Sequence, residues 1–211
     1  MNCDIGETSL PWNTSPEPAL LALISSANVA CGGHAGDAES MRAVCAAAVS
    51  RGVAIGAQVS YPDRENFGRL AMEIDAAELS ASIAEQYAAL VGAATSCGGV
   101  VSYVKPHGAL YNVVVAREDH ARVVVDLAHQ HGVALFGLGG SATERRAQTV
   151  GVPFVREWFA DRNYLANGQL VPRSHTQALV ISPREVYERV ARAVRDGAVR
   201  DGVVRTIDGA E

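Results

Sequence analysis

Short apolar runs alternate with longer amphipathic segments along the chain, and this alternation limits the possible fold more than any other feature. Strands are predicted at 2–5, 27–31, 53–57, 100–105, 133–138 and 153–159, with a weaker run at 202–207. The segments between them carry apolar residues at helical spacing and end at glycine, namely 37–52, 75–99, 117–132, 141–151 and 182–197. Repeated strand-then-helix units predict an α/β fold with a parallel sheet.

The number of these units favours a closed or nearly closed (β/α) barrel, because seven strands that alternate with helices can curl around a shared core. An open doubly wound sheet remains the alternative. At 211 residues the chain suits one domain covering 1–211, which is long enough to bury a core without disulfides or metals. The helical segments 76–94 and 121–128 are predicted to face that core.

Composition excludes several classes of function. The formal net charge is −5, which is poorly suited to binding a phosphate backbone, so we expect no nucleic-acid partner. The four cysteines lie far apart and form no CxxC pair, which is typical of reduced thiols. No apolar run reaches the roughly 20 residues that span a bilayer, and the first residues show no signal-peptide pattern. We therefore expect a cytoplasmic protein with no membrane partner.

Unusual polar residues follow the predicted strands. Because the carboxyl ends of parallel strands share one face of the fold, these residues are expected to converge there. The candidate catalytic residues are Asp4, Glu7, His34, Lys105 and His107. A histidine transfers protons near neutral pH and a lysine holds an anion. As alternatives, the lysine pairs with a carboxylate and the second histidine only caps a turn, or the carboxylates and histidines bind a divalent cation.

A second group of polar residues is predicted to bind substrate. Arginine forms forked hydrogen bonds to carboxylate and phosphate groups, and two Asp-Arg pairs lie in long loops. The candidates are Asp37, Asp63, Arg64, Arg69, Tyr111, Asp161, Arg162 and Arg173. The alternatives are that Asp37 caps a helix and that the arginines pin the loops.

Five separated motifs, "NCDIGE", "SSANVACGGHAGD", "VAIGAQVSYPDRENFGR", "VKPHGALYN" and "FADRNYLANGQLVPRS", resemble the LamB/YcsF family over nearly the whole chain. The resemblance implies an irregular TIM-like barrel of the glycoside hydrolase/deacetylase type. It also implies ATP-dependent cleavage of 5-oxo-L-proline to L-glutamate, with Mg²⁺ accompanying ATP and two partner subunits, B and C. The chain shows no nucleotide-binding motif, which is compatible with an ATP site on a partner.

The chain departs from the family pattern in two places. Gln58 stands where family members commonly have a histidine, and a CxHGD motif near the family's C-terminus is missing. We expect either that the sequence is truncated or that the last strand and helix of the barrel are absent. Two other functions remain open. One is a stand-alone metal-dependent hydrolase of amide or carbohydrate bonds, and the other is a non-catalytic assembly subunit.

Overall fold

The structure is a computed structural model that describes residues 1–195. Its strands are β1 (Asn2–Ile5), β2 (Ser26–Ala30), β3 (Ala54–Val59), β4 (Val101–Pro106), β5 (Ala134–Leu138) and β6 (Phe154–Glu157). Its helices are α1 (Glu17–Leu21), α2 (Ala38–Arg51), α3 (Ala76–Ser96), α4 (Gly108–Val113), α5 (Glu118–His131), α6 (Ala142–Val150) and α7 (Pro183–Arg195), with a 3-10 turn at Trp12–Thr14. Every strand predicted before residue 160 overlaps an observed one, and the run at 202–207 lies outside the described residues.

The strands form one sheet in the order β1-β2-β3-β4-β5-β6, and the pairs from β1 to β5 are parallel. Strand order therefore follows chain order, as it does around a (β/α) barrel. A doubly wound sheet reverses its strand order at a switch point, so that alternative is wrong for the described strands. The chain is an α/β protein with a six-stranded parallel sheet of the half-barrel type.

Most helices begin and end where the sequence predicts. Three of them, α2, α5 and α6, end at glycines in the left-handed conformation, Gly52, Gly132 and Gly151. Glycine adopts this conformation without the steric penalty of a Cβ atom. The helices α1 and α4 were not predicted, because five or six residues show too little of the helical period. No helix in residues 1–195 has the length and apolar character needed to cross a membrane.

The long helices α3 and α5 bury apolar side chains in the core. The fully buried side chains include Leu79 and Leu90 of α3 and Val124 and Val125 of α5. Ile83 of α3 is almost fully buried. This confirms the prediction that both helices face the core. Strands β2, β3 and β4 are buried along most of their length, as expected for parallel strands covered on both faces.

The chain divides into two compact units, of which the first covers Met1–Val155 and the second begins at Arg156. The second unit contains antiparallel bridges between Arg162 and Leu179 and between Tyr164 and Leu170. The expectation of one domain over 1–211 stays a prediction.

Candidate active site

The carboxyl ends of β1 and β4 carry an ion pair, which we call the lysine pair (Asp4 and Lys105). Lys105 Nζ lies 3.1 Å from Asp4 Oδ1 and donates a second hydrogen bond to Asn2 Oδ1 at 3.3 Å. Asn28 on β2 donates through Nδ2 to Asp4 Oδ1 at 2.8 Å and to Asn2 Oδ1 at 2.7 Å. The Lys105 side chain is 5% exposed and that of Asp4 is 36% exposed, so the carboxylate is the half of the pair that faces solvent. The alternative that Lys105 pairs with a carboxylate is confirmed.

The lysine pair is electrically balanced. Burial acts to raise the pKa of Asp4, but the Lys105 ammonium and the hydrogen bond from Asn28 outweigh it, and the pKa is lowered from its ordinary value. Asp4 is therefore a carboxylate at neutral pH, held beside a buried ammonium.

Four side chains meet at the carboxyl ends of the strands, and we call them the histidine cluster. Gln58 lies in β3, and Glu7, His34 and His107 follow β1, β2 and β4. Glu7 Oε1 lies 3.0 Å from His34 Nε2 and 3.3 Å from His107 Nδ1. Gln58 Nε2 donates to Glu7 Oε1 and to His107 Nδ1, both at 2.9 Å. The two imidazole rings stack with centroids 3.6 Å apart and an interplanar angle of 6°. The predicted convergence of the candidate catalytic residues is confirmed, because His107 Nδ1 also lies 4.0 Å from Asp4 Oδ2.

The hydrogen-bond partners determine which ring nitrogens carry protons. A carboxylate oxygen only accepts, so His34 Nε2 donates to Glu7. A backbone carbonyl also only accepts, so His107 Nε2 donates to the carbonyl of Phe67 at 3.1 Å, and His107 Nδ1 accepts from Gln58. His34 Nδ1 is buried and has no hydrogen-bond partner among the described residues.

His107 is neutral at neutral pH. Burial lowers its pKa, the neighbouring His34 ring lowers it further, and the carboxylates of Glu7 and Asp4 act in the opposite direction without restoring it, so the pKa falls to about 4. A neutral imidazole at this position offers one donor and one acceptor, and both are in use.

The loop between β3 and α3 covers the histidine cluster. The Phe67 ring meets the imidazole rings of His34 and His107 edge-on, with centroid distances of 5.2 and 5.4 Å. Phe67 has a φ of 57°, a left-handed conformation that is rare for a bulky residue and costs about 1–3 kcal/mol. Strain of this kind persists where surrounding contacts hold it, and it is common at functional sites.

His120 ties the two ends of this loop to α5. It is fully buried, its Nε2 donates to the carbonyl of Ile74 at 3.0 Å, and its Nδ1 accepts from the Tyr61 hydroxyl at 2.7 Å. Burial raises the pKa of Tyr61 to about 12, so the hydroxyl keeps its proton at neutral pH. His120 therefore fixes the loop that covers the cluster.

A tight turn after β4 aims His107 into the site. Gly108 has a φ of 59°, and a Cβ atom there would lie 2.3 Å from the carbonyl oxygen of Gly68. Strand β4 ends at Pro106, one residue beyond the predicted strand 100–105.

Two of the glycines around His34, Gly33 and Gly36, lie tightly against other parts of the protein. A Cβ atom on Gly33 would lie 2.4 Å from Ser60 Oγ, and one on Gly36 would lie 2.3 Å from the Ala30 carbonyl oxygen. Both positions are filled by the protein itself, so they do not provide room for a ligand to approach the backbone.

The distances within the cluster meet the basic requirement for a metal site. Ligand atoms of Glu7, His34 and His107 all lie within 4.8 Å of one another. Two imidazoles and a carboxylate are a donor set that binds Zn²⁺ and similar cations.

The sequence profile of the LamB/YcsF family matches residues 1–210. The chain belongs to the LamB/YcsF family. The 5-oxoprolinase A subunit of Streptomyces avermitilis is 49% identical over 201 residues, which cover 94% of this chain and 80% of that protein. The 5-oxoprolinase A subunit of Bordetella pertussis is 41% identical over 211 residues, which cover 99% and 82%.

A solved structure agrees with this assignment, and a second one shares the fold. The lactam utilization protein of Thermus thermophilus matches with a TM-score of 0.87 and 32% identity, covering all of this chain and 84% of that one. A structure from Enterococcus faecalis V583 matches with a TM-score of 0.55 and 15% identity over 92% of this chain, and this similarity shows the fold alone.

Among the predicted substrate-binding residues of this LamB/YcsF chain, Asp37 and Arg64 have structural contacts. Asp37 Oδ1 accepts from two backbone N–H groups in the first turn of α2 at 2.8 and 2.9 Å, which confirms the helix cap. These hydrogen bonds lower the pKa of Asp37, that from the Ser40 backbone most. Arg64 Nη1 donates to the carbonyls of Gly32 and Gly36 at 3.1 and 2.8 Å, so it pins a neighbouring loop. Substrate binding by either residue stays a prediction.

Three more candidates lie in the same loop or in α4. Asp63 Oδ1 accepts from the Asn66 side-chain amide at 2.9 Å. The Arg69 guanidinium lies 4.8 Å from the centroid of the Phe67 ring. Tyr111 is buried in α4. Their roles in substrate binding also stay predictions.

The remaining candidates, Asp161, Arg162 and Arg173, belong to the second unit. Arg162 is buried and donates to the backbone carbonyls of Val171 at 2.6 Å and Ala178 at 3.3 Å, so it pins a loop within that unit. Asp161 and Arg173 are exposed. Binding of substrate by these three residues stays a prediction.

Sequence reasoning missed several residues of the site. Asn28 bonds to Asp4, and Glu17 Oε1 accepts from the backbone N–H groups of Gly6 and Glu7 at 2.9 and 3.1 Å. A polar residue in the middle of the apolar run 27–31 was a signal for Asn28. For Glu17 no local pattern gave a signal, because its partners lie in another part of the chain.

Proposed function

We propose that this chain is the A subunit of a 5-oxoprolinase, which hydrolyses the lactam amide of 5-oxo-L-proline to L-glutamate and converts ATP to ADP and phosphate. The observation that carries the proposal is a relative, named as the A subunit of 5-oxoprolinase, that is 49% identical over 94% of this chain. The match to a lactam utilization protein supports the same class of substrate. The convergence of acid, base and ammonium groups at the strand ends supports chemistry in this chain.

The relatives are each named as one lettered subunit of an enzyme, which implies further subunits, and the proposal takes these to be B and C. ATP with Mg²⁺ is the expected cofactor. The lack of a nucleotide-binding motif in the sequence is compatible with an ATP site on a partner. The sequential strand order supports an irregular TIM-like barrel of the glycoside hydrolase/deacetylase type, and we expect the complex to work in the cytoplasm.

Activation by ATP suits this reaction because a five-membered lactam is an unstrained, resonance-stabilised amide. Transfer of the γ-phosphoryl group to the amide oxygen would give an O-phosphorylated imidate and ADP. Water would then add to the ring carbon and the ring C–N bond would break, which gives γ-glutamyl phosphate. A second water molecule would hydrolyse this acyl phosphate to glutamate and phosphate. Two water molecules are consumed overall, one for the ring and one for the phosphoryl group.

The geometry supports different roles for the histidine cluster and the lysine pair. Glu7 and His34 form a carboxylate–imidazole pair that can accept a proton from the attacking water and return it to the departing nitrogen. His107 completes this group as a neutral hydrogen-bonding imidazole. Within the proposal, Lys105 would hold the substrate carboxylate or the phosphoryl group only by giving up part of its contact with Asp4, because the pair is balanced and its carboxylate faces solvent.

The test is ATP-dependent glutamate release by this chain combined with its B and C subunits. We expect His34→Ala to lower the rate by about 100-fold or more, as is usual for loss of a proton-transfer group. His107→Ala should also lower the rate, because it removes the ring that bonds to Gln58 and to the covering loop. His129→Ala, on the exposed face of α5, is the matched control and should keep full activity. Size-exclusion chromatography checks that each variant still assembles.

The other functions predict different results. A stand-alone metal-dependent hydrolase would act without ATP and would lose activity on treatment with a chelator. A non-catalytic assembly subunit would keep full activity in both histidine variants. If the wild-type complex releases no glutamate while the Streptomyces avermitilis subunit does so in its place, the proposal is wrong.

A further inference from the structure

The distances in the histidine cluster permit a metal ion, but the directions of the imidazole lone pairs do not. An imidazole nitrogen binds a metal through a lone pair in the ring plane, at about 2.0–2.1 Å. The rings of His34 and His107 are stacked, with centroids 3.6 Å apart and planes within 6° of parallel. Stacked parallel planes stay apart, so an ion at bonding distance from both rings would lie well outside both planes. The two histidines therefore cannot aim at one ion in this conformation.

Gln58 lies between two hydrogen-bond acceptors of the histidine cluster. Its Nε2 lies 2.9 Å from both Glu7 Oε1 and His107 Nδ1. The side chain is fully buried, and Oε1 has no hydrogen-bond partner among the described residues. The reverse orientation of the amide would place Oε1 against a carboxylate oxygen and an unprotonated nitrogen, which are both acceptors. The two hydrogen bonds from Nε2 thus fix the amide, although they leave its oxygen unpaired.

We propose that Gln58 takes the place of a metal ion in the histidine cluster and is the positioning residue that holds His107 in its neutral Nε2–H form. One amide hydrogen is donated to Glu7 and the other to His107, so both acceptors are satisfied without a positive charge. The Nε2–H group of His107 is then directed to the carbonyl of Phe67, which links the cluster to the covering loop.

This arrangement leaves His34 as the proton acceptor of the cluster. Its Nε2–H group bonds to Glu7 at 3.0 Å, and its Nδ1 has no partner within the described part of the chain. A carboxylate behind an imidazole orients the ring and stabilises the imidazolium that forms when the other nitrogen takes a proton. The role of His34 rests on the proposed function, but the replacement of a cation by Gln58 does not.

The first test is titration of the 211-residue chain with Zn²⁺ by calorimetry, without substrate or ATP. Wild type and His34→Ala should give the same isotherm, because no site depends on the cluster. His129→Ala removes an exposed histidine and controls for binding at the surface. A stoichiometric Zn²⁺ site that is present in wild type and His129→Ala but lost in His34→Ala would overturn the proposal.

The second test follows the imidazole nitrogens of His107 by ¹⁵N NMR in wild type, Gln58→Leu and Gln58→Glu. In wild type Nδ1 should be unprotonated and Nε2 protonated at about pH 7. In Gln58→Glu a second carboxylate faces Nδ1, and the pH at which His107 binds its second proton should rise by about 1–3 units. Gln58→Leu removes both donated hydrogen bonds, and it should also raise this pH because Glu7 remains 3.3 Å away.

Two variants are used so that a folding failure in one leaves the measurement to the other, and circular dichroism checks each of them. An unchanged protonation midpoint of His107 in a folded variant would contradict the positioning role of Gln58. Because neither test uses the lactam or the partner subunits, failure of the 5-oxoprolinase proposal would not alter either result.

Discussion

Acidification should destabilise this chain through His107, whose pKa is lowered by burial and by the His34 ring from 6.5 to about 4. Below the ordinary pKa, the unfolded chain binds a proton at this position and the folded chain does not. The free energy of unfolding therefore falls as the pH drops from about 6.5 towards about 4. Each unit of pKa difference corresponds to about 1.4 kcal/mol, so His107 alone would remove up to about 3 kcal/mol.

The assay is urea unfolding followed by circular dichroism, with wild type, His107→Gln and His129→Gln compared at about pH 7 and about pH 4.5. Wild type should lose about 2–3 kcal/mol more stability between these conditions than His107→Gln does. His129 is exposed on α5, so its variant should follow wild type. Equal losses in wild type and His107→Gln would refute the reasoning, because the acid sensitivity would then come from other groups.

Three further predictions concern packing, capping and the covering loop. Gly56→Ala should lower the free energy of unfolding, measured with urea, by about 1–3 kcal/mol, because the added Cβ atom would lie 2.0 Å from the Tyr103 ring. A Cβ atom added at Gly92 in α3 meets nothing within 4 Å. Gly92→Ala should therefore raise the free energy of unfolding by about 0.5–1 kcal/mol. Asp37→Ala should lower stability by about 1 kcal/mol and Asp37→Ser by less, because serine also caps helices; a raised KM in both variants would show that the carboxylate binds substrate. His120→Leu should expose the loop between β3 and α3 to proteolysis, and unchanged cleavage would show that other contacts hold the loop.

The strand-and-helix order could be predicted because each unit carries its own local signal. Strand β1 was predicted at its observed bounds, and glycines marked the ends of α2, α5 and α6. The short helices α1 and α4 carry less than two full turns and gave no such signal. The strand order itself follows from pairing between distant segments, which local pattern does not encode.

The sequence predicted where the site lies, but it did not predict which side chains bond to each other there. Polar residues after apolar strands indicated that Glu7, His34 and His107 would meet, and they do. The contacts of Asn28 depend on the register that places it opposite Asp4, and this register is set by the pairing of β1 with β2. A one-residue change of register would turn the amide to the other face of the sheet, so the residue type alone could not assign it.

The side-chain amides of Asn28 and Gln58 each donate a hydrogen bond to one carboxylate of the site. Asn28 donates to Asp4 at 2.8 Å and Gln58 donates to Glu7 at 2.9 Å, and neither adds a formal charge. Protonation of Asp4 would leave the buried Lys105 ammonium without its counter-charge, which is strongly unfavourable. The histidine cluster has no lysine or arginine among its four members, so a proton bound there compensates the charge of Glu7 and separates no ion pair. We therefore expect proton transfer in the histidine cluster and expect Asp4 to hold Lys105 in place. The catalytic role predicted for Asp4 stays a prediction.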